Sequence, residues 1–415
     1  MSGWALFVRR FAGVGSVSFL TYLGEFMSLI VVLAFLSDKL TVTYGLGTFG
    51  YSIIGPISGG YLVLSGLVAI PVGHLCDKYG RRRFTILGCL LAAIALFSLL
   101  AVGEISGLIP FVLGIGGALA LMGVGHGIYT ASTLAYTGDV ATHEELGKPY
   151  GLVEMTELGA FAFGPTIGAF IAFEYGRAPT FIVSGLLLVV AAALAAGFMP
   201  EQVAGNEKGG KHDQEAVSWK SFFSVLKDNV LEATVLTTFV ASLAFSAFFF
   251  YVPLYAYSLR GEIPQLAYLY PIFASVMAAI GSLGMIPIGG VEDRTRRRMP
   301  ILVAGLVIGS LSLLVVFFSR SLTALAFASV AFGVSLAMGR VSQLVLLAEH
   351  SNRESRAAVM GTNHAFEHAG YGVGSVFAGI FVGALGLASA FQILSGVLLV
   401  AGLGFLVFAW FRKLE

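Results

Sequence analysis

Ionisable residues are rare inside the long apolar stretches of this 415-residue chain, and those found there could carry protons or contact a polar substrate. Glu25 stands near the middle of one such stretch, FLTYLGEFMSLI. A buried carboxyl group of this kind is suited to loading and releasing a proton. Glu154 and Glu157 are three residues apart on another stretch, where Glu157 lies deeper. We predict proton coupling at Glu25 and Glu157, whereas Glu154 is either functional or a solvated carboxylate near the membrane surface.

A later apolar stretch carries two histidines and a glutamate. His364, Glu367 and His368 lie on one face of a helix, and a histidine beside a carboxylate suits proton coupling between pH 5 and 8. The same His-x-x-Glu-His pattern occurs in inverted zincins, so an intramembrane metallohydrolase is a remote alternative. We predict a protein that is not an enzyme and has neither cofactor nor resident metal. His364 and His368 are the residues that could hold a transported divalent metal.

Two other polar residues lie within apolar stretches. His126, in GVGHGIYT, is either a hydrogen-bonded structural histidine or a functional one. An unpaired guanidinium in the membrane is too costly, so we expect Arg340 to pair with Glu367 or with an anionic substrate group. Three aromatic residues also recur on one helical face, as packing side chains or as the lining of an apolar cavity. These residues are Phe248, Tyr251 and Tyr255.

Membrane helices are the elements that must position these residues. The chain is 57% hydrophobic and only 11% charged, whereas soluble domains are roughly 25% charged. Its length has room for about twelve spanning helices of roughly 20 residues with short loops. A net charge of +1 gives no reason to expect a nucleic-acid partner. We therefore predict an all-α polytopic membrane protein of twelve transmembrane helices in the lipid bilayer of the cell (inner or plasma) membrane.

Basic residues accumulate in the loops on one side of the predicted helices. This bias predicts that both termini are cytoplasmic. Cys76 and Cys89 lie beside the basic loop at 77–83, which the same rule places in the cytoplasm. A disulfide framework is therefore not expected.

A polar, Gly/Lys/Glu-rich stretch divides the chain. Residues 200–228 are predicted to be a cytoplasmic linker between an N-terminal six-helix bundle, 1–199, and a C-terminal six-helix bundle, 229–415. Apolar residues recur at helical spacing near the end of the linker. This pattern predicts an interfacial amphipathic helix, which we favour over a partner-binding motif.

The two parts of the chain repeat each other. The sequence from Gly151 aligns with the sequence from Gly361, an offset of 210 residues that brings Glu157 onto Glu367. The loop sequence GHLCDKYGRRR from Gly73 also aligns with GGVEDRTRRR from Gly289. Two copies in one chain indicate pseudo-symmetric bundles.

Charged loop residues could form a cytoplasmic gate. A carboxylate there can accept hydrogen bonds at a neighbouring helix N-terminus, and arginines can pair with it, which makes a latch that holds one access state. The preference for basic residues in cytoplasmic loops would explain the arginines. It would not explain the glycine and aspartate at fixed spacing in both copies. The predicted gate residues are Gly73, Asp77, Arg81, Arg82, Asp139, Asp293 and Arg294.

The loop and one helix resemble signatures of the major facilitator superfamily. The loop likeness rests on Gly73, Asp77, Lys78, Gly80, Arg81 and Arg82, and the second copy has Arg296 in place of the second glycine. A second set of residues resembles the Gly-Pro helix-5 signature of proton-driven drug antiporters. That set is Gly159, Gly164, Pro165 and Gly168. The resemblance implies the major facilitator fold.

These observations together predict a secondary active transporter that works by alternating access, with small-molecule substrate and protons as its partners and a monomer as the working unit. Our first hypothesis is proton-coupled export of lipophilic or drug-like compounds, as in multidrug efflux. The alternative is a proton-coupled carrier of a polar metabolite or a divalent metal ion. A membrane sensor that does not transport is a remote alternative, alongside the metallohydrolase.

Overall fold

The computed structural model describes residues 3–140, 147–200, 228–259, 270–351 and 356–412. Within these ranges all regular secondary structure is helical. The long helices α1 to α12 are, in chain order, Gly3–Ser37, Tyr51–Tyr79, Arg81–Val102, Leu108–Val140, Gly147–Tyr175, Arg177–Phe198, Asn229–Ser258, Ile272–Thr295, Arg298–Phe318, Leu322–Glu349, Arg356–Leu385 and Leu387–Arg412. A π-helical segment, Asp38–Thr43, and a 3₁₀ turn, Gly47–Gly50, connect α1 to α2.

All these long helices contain a segment that could cross a membrane. The 12 segments range from 19 residues, in Tyr51–Ala69, to 33 residues, in Phe11–Thr43. A spanning helix needs roughly 20 apolar residues, and its backbone hydrogen bonds are satisfied within the segment. The predicted all-α fold with twelve spans is therefore confirmed.

Very short connections join several helices, and they depend on left-handed backbone conformations. Gly80 connects α2 to α3 with φ of 96°, while Gly176 and Gly386 make the equivalent turns before α6 and α12 with φ of 87° and 89°. Between α8 and α9 the left-handed residue is Arg296, with φ of 56°. The second loop copy therefore also has a residue with positive φ although it lacks the glycine, at a cost of about 1–2 kcal/mol for a residue with a Cβ atom.

The chain forms two compact units that do not follow the linear order of the sequence. Unit 1 comprises Met1–Val32 and Leu64–Ala216, and unit 2 comprises Leu33–Val63 and Val217–Glu415. Helices α1 and α2 therefore contribute residues to both units. The division at the linker into 1–199 and 229–415 stays a prediction, and the linker's proposed interfacial helix lies outside the described residues.

In unit 1, glycines on α5 allow this helix to pack closely against α1. A Cβ atom at Gly164 would lie 2.8 Å from the Phe26 Cβ atom, and one at Gly168 would collide with the carbonyl oxygen of Met27. Pro165 lies inside α5 between these two contacts. The Gly-Pro sequence therefore has a packing role in this unit.

Unit 2 repeats this close approach with α11 and α7. A side chain at Gly374, the residue that aligns with Gly164, would collide with the carbonyl oxygen of Leu243 on α7. The hydroxyls of Ser58 and Ser375 also lie 2.7 Å apart, which joins the first half of α2 to α11. The sequence repeat is thus visible as the same kind of helix contact in each unit.

Candidate functional site

Unit 1 contains a buried triangle of polar atoms from α1 and α4. Glu25 Oε2 lies 2.6 Å from His126 Nδ1, and the Tyr129 hydroxyl donates to Glu25 Oε2 at 2.9 Å. The Tyr129 hydroxyl also lies 2.8 Å from His126 Nδ1. Glu25 and Tyr129 are 0% exposed and His126 is 3% exposed. We call these three residues the Glu25 cluster.

Aromatic rings surround the Glu25 cluster. The Tyr22 ring meets the rings of His126 and Tyr129 edge-on, with centroids 5.7 Å away in each case. Phe26 stacks on Phe161 with centroids 3.5 Å apart, and both rings are buried. The Tyr22 ring therefore packs directly against two members of the cluster.

The carboxylate of Glu25 uses its two oxygens unequally. Oε2 contacts both His126 and Tyr129. Oε1 is buried and has no hydrogen-bond partner among the described residues. No lysine or arginine of the described residues forms an ion pair with Glu25, whose one ion-pair partner there is His126. Any charge on this carboxylate is therefore balanced only when the histidine is protonated.

Unit 2 contains a second buried carboxylate, held between α10 and α11. Arg340 Nη1 lies 2.7 Å from Glu367 Oε2. The hydroxyl of Tyr371 donates to Glu367 Oε1 at 2.7 Å, and His364 Nδ1 lies 3.7 Å from Oε2. The pairing of Arg340 with Glu367 expected from the sequence is confirmed. We call Arg340, His364, Glu367, His368 and Tyr371 the Glu367 cluster.

The Glu367 cluster is less shielded than the Glu25 cluster. The side chain of His364 is 26% exposed and that of Arg340 is 10% exposed. The His364 and His368 rings lie 4.3 Å apart, between centroids. No group of three or more His, Cys, Asp or Glu side chains in the described residues is arranged to hold a metal ion.

Two uncharged polar side chains lie on the helices that form this cluster. Gln343 is one turn from Arg340 on α10, and Asn363 is one turn from Glu367 on α11. Each is 2% exposed. Gln343 Nε2 and Asn363 Oδ1 have no hydrogen-bond partner among the described residues. They are available to bind a polar group.

The other candidates from the sequence are placed differently. Glu157 is only partly buried on α5, and the side chain of Glu154 lies outside the described residues. The aromatic residues of α7 do not line an open cavity here. Phe248 is fully buried against Phe332, and the Tyr251 and Tyr255 hydroxyls donate to backbone carbonyls of Ser375 and Ser319. The packing alternative therefore accounts for these three aromatics, because their surfaces and hydroxyls are already in use.

The basic loops place one buried arginine at the start of each following helix. Arg81 begins α3, is 8% exposed and donates from Nη1 to the carbonyl oxygen of Ala135 at 3.1 Å. Arg298 begins α9, is 5% exposed and donates from Nη2 to Glu349 Oε1 at 3.2 Å. Each arginine thus contacts a residue in the last part of the next helix along the chain, α4 for Arg81 and α10 for Arg298.

The predicted gate residues are only partly visible. Arg82 is partly exposed and Arg294 is exposed. The side chains of four others lie outside the described residues: Gly73, Asp77, Asp139 and Asp293. Arg298, rather than Arg294, is the buried arginine of the second copy, because it is the first residue of α9 and faces α10.

Sequence reasoning missed three residues: Tyr129, Tyr371 and Glu292. Tyr129 and Tyr371 lie three and four residues after His126 and Glu367, respectively, so helical spacing could have found them. Glu292 is 0% exposed, lies 3.8 Å from Arg298 and accepts a short hydrogen bond from Ser342. The sequence offered no such signal for Glu292, since it lies next to the more obvious Asp293.

Each unit contains a close helix contact at glycines and a buried carboxylate. Comparison of the sequence with known protein families agrees with this architecture. The sequence matches the Major Facilitator Superfamily over residues 14–294 and 273–415. The chain belongs to this family. It is therefore a multi-pass membrane transporter of the secondary active class with a small-molecule substrate. Because the family consists of transporters and not enzymes, the metallohydrolase alternative is wrong.

Individual relatives are distant. The chain is 24% identical over 353 residues to an uncharacterized MFS-type transporter of Methanocaldococcus jannaschii, with 84% of this chain and 87% of the relative covered. It is 23% identical over 359 residues to the multidrug resistance protein MdtG of Salmonella typhimurium, with 85% of each chain covered. The crystal structure of the nucleoside transporter NupG matches with a TM-score of 0.75 at 12% identity, covering 96% of this chain and 99% of NupG. The last match supports the fold alone.

Proposed function

We propose that this transporter is a proton-coupled exporter of lipophilic, drug-like molecules, with the Glu25 cluster as its coupling site. The observation that carries the proposal is a fully buried carboxylate whose one described ion-pair partner is a histidine. A histidine can lose its charge in the physiological pH range, whereas an arginine cannot. The cluster can therefore gain or lose net charge while it stays buried.

Such a change in charge is large enough to drive alternating access. An uncompensated charge in the membrane interior costs several kcal/mol. A difference of about 1.4 kcal/mol between two conformations changes their ratio tenfold. Protonation at the Glu25 cluster would thus bias the carrier toward one access state, and release of the proton would restore the other.

The cytoplasmic latch belongs to the same proposal. Arg81 donates to the Ala135 carbonyl on α4 and Arg298 to the Glu349 carboxylate on α10, and these contacts could be made in one access state and broken in the other. The orientation proposed from the loop charges places this end, and both termini, in the cytoplasm. Asp77 and Asp139 are the acidic residues that we expect to complete the latch in unit 1.

The export of drug-like compounds is supported by a distant likeness. MdtG, which shares 23% identity with this chain, is named a multidrug resistance protein. The resemblance of the α5 Gly-Pro sequence to drug antiporters points in the same direction. Export with proton antiport is therefore the first activity to test.

Transport by the purified chain in proteoliposomes tests the proposal. With an imposed pH gradient, a panel of lipophilic compounds should stimulate proton movement in the wild type, and Glu25→Gln should abolish that stimulation. Glu174→Gln is the matched control, because Glu174 is an exposed glutamate on α5. Proton movement that is independent of substrate, or that survives in Glu25→Gln at the wild-type rate, would overturn the proposal.

A polar metabolite is the second candidate substrate. The partly exposed His364 beside the Arg340–Glu367 pair, together with the unpartnered Gln343 and Asn363, favours this candidate. These groups could bind an anionic or zwitterionic molecule through charge-assisted hydrogen bonds. Thermal stabilisation by such molecules, and its loss in Asn363→Leu, would support transport of a polar metabolite over drug export. Stabilisation by lipophilic compounds alone would exclude it.

A further inference from the structure

We infer that the turn between α8 and α9 binds the headgroup of an anionic phospholipid, while the exposed face of α8 packs against the acyl chain of the same lipid. Three exposed arginines of this turn, Arg294, Arg296 and Arg297, would contact the phosphate of the headgroup. The inference concerns a partner of the protein within the bilayer. It does not rest on the proposed substrate or on the proposed coupling site.

The three arginines lie at the boundary of the membrane-spanning segments. The apolar span of α8 ends at Glu292, and that of α9 begins at Arg298. Arg294, Arg296 and Arg297 fall between these two ends, where the apolar part of a bilayer gives way to the headgroups. The proposed orientation puts this turn on the cytoplasmic side, where the surface of a membrane is negatively charged. Their position therefore suits contact with an anionic headgroup.

The protein itself does not neutralise these charges within its described part. Arg298, the next residue along the chain, is buried and pairs with Glu349. Arg294, Arg296 and Arg297 are exposed instead, and none of their guanidinium groups forms an ion pair with a described carboxylate. A guanidinium group can bind a phosphate through two parallel hydrogen bonds. The turn thus presents three positive groups of the type that best recognises a phosphate.

An exposed apolar face of α8 leads to this turn. Leu283, Ile286 and Gly290 precede Arg294 at spacings that keep all four residues on one side of the helix. Leu283 is 73% exposed and Ile286 is 76% exposed. From Leu283 to Arg294 the helix rises by about 16 Å, and half of the hydrocarbon core of a bilayer is about 15 Å thick. The apolar face and the turn together match the length and polarity of one phospholipid.

The backbone of Arg296 indicates that its side chain has a use. Among the described residues, Arg296 is the one non-glycine residue with a positive φ, whereas the first loop copy has Gly80 at this position. The orientation of the chain depends on the number of basic residues in a loop, and Arg294, Arg297 and Arg298 would provide them without Arg296. Backbone strain persists where another interaction compensates for it. Contact with an anionic headgroup would provide that interaction.

Three arginines are enough for a measurable preference among lipids. Each basic residue close to an anionic membrane surface raises the apparent affinity about fivefold, so three together raise it about a hundredfold. A zwitterionic phospholipid has the same phosphate but no net charge, and it gains little from this attraction. We therefore expect the turn to select phosphatidylglycerol over phosphatidylcholine with the same acyl chains.

Native mass spectrometry of the full-length protein in detergent tests this preference. Each of the two lipids is titrated separately, and the apparent affinity for the first bound lipid is measured. We expect phosphatidylglycerol to bind about tenfold to a hundredfold more tightly. The triple variant Arg294→Gln, Arg296→Gly, Arg297→Gln should lose most of that difference. Arg320→Gln is the matched control and should keep it, because Arg320 is an exposed arginine beyond the opposite end of α9.

The single variant Arg296→Gly separates lipid binding from folding. It removes one guanidinium group and relieves the positive φ, so the affinity for phosphatidylglycerol should fall about fivefold. The melting temperature in lipid-free detergent should rise at the same time. A fall in both quantities would trace the lost binding to a disturbed turn and would count against the inference.

Two other results would overturn the inference. Equal affinities for the two lipids, or an unchanged preference in the triple variant, would show that the three arginines do not recognise an anionic headgroup. Inorganic phosphate that displaces phosphatidylglycerol from the wild type would assign the turn to a free anion and not to a lipid. Neither result would affect the proposed proton coupling, which is measured separately by transport in proteoliposomes.

Discussion

The Glu25 cluster and the Glu367 cluster bury the same side-chain types, but only one includes a permanent cation. In each, a tyrosine hydroxyl donates to a glutamate that also faces a histidine. Glu367 is paired with Arg340 at 2.7 Å, whereas the ion-pair partner described for Glu25 is His126. An arginine fixes the charge of its site, and a histidine allows the charge to change. The comparison shows that the residue paired with a buried carboxylate, more than the carboxylate itself, determines whether the charge of the site can change.

Breaking the pair in unit 2 should give the largest effect. Arg340→Met would leave Glu367 as an uncompensated buried carboxylate, which we expect to lower the free energy of unfolding by about 3–5 kcal/mol. Fluorescence-monitored unfolding in detergent measures this loss. The double variant Arg340→Met with Glu367→Gln removes both charges and should recover most of the stability. A single variant as stable as the wild type would show that the pair is not a structural requirement.

Removing the buried carboxylate of unit 1 should affect proton coupling and leave stability nearly unchanged. Glu25→Gln removes a charge without leaving a cation behind, so we expect the free energy of unfolding to change by less than about 1 kcal/mol. Glu367→Gln removes the carboxylate that pairs with Arg340 and should cost several times more. Unfolding curves of the two variants, recorded side by side, make the comparison. Equal losses of stability would contradict the difference drawn between the clusters.

Close helix packing, which both units share, should tolerate little change. Gly168→Ala places a methyl group against the carbonyl oxygen of Met27, and we expect a loss of about 1–3 kcal/mol in unfolding free energy. Gly159→Ala is the control on the same helix, since its Cβ atom would meet the Phe19 ring at an ordinary 3.7 Å. Thermal unfolding of both variants measures the difference. Similar melting temperatures would indicate that α5 shifts to accommodate the methyl group.

Substitutions at the turns after α2 and α8 should have smaller effects than loss of the Arg340–Glu367 pair. Gly80→Ala puts a Cβ atom on a residue with φ of 96° and should destabilise the protein by about 1–2 kcal/mol. Arg296→Gly relieves the same kind of strain at φ of 56° and should have the opposite sign. Denaturant unfolding can resolve shifts of this size. Two changes of the same sign would mean that side-chain contacts of Arg296 outweigh its backbone strain.

The sequence predicted the helices and the candidate residues well because both depend on local signals. A membrane span is a run of apolar residues, and an ionisable residue inside such a run is conspicuous in the sequence alone. Arg340 could even be paired correctly with Glu367, since a buried cation requires a nearby anion. The repeated glycines likewise indicated that α5 and α11 are related.

Contacts between distant parts of the chain were decided by the tertiary structure alone. Glu25 and His126 are 101 residues apart, and no pattern in the sequence joins them. The burial of Phe248, the position of Arg298 and the assignment of residues 33–63 to unit 2 depend on which helices meet. Apolar residues determine which segments span the membrane, but side-chain shape determines which helices pack together. The sequence thus determined which groups could bind a proton, and the packing of α1 against α4 decided that one of them would face a histidine.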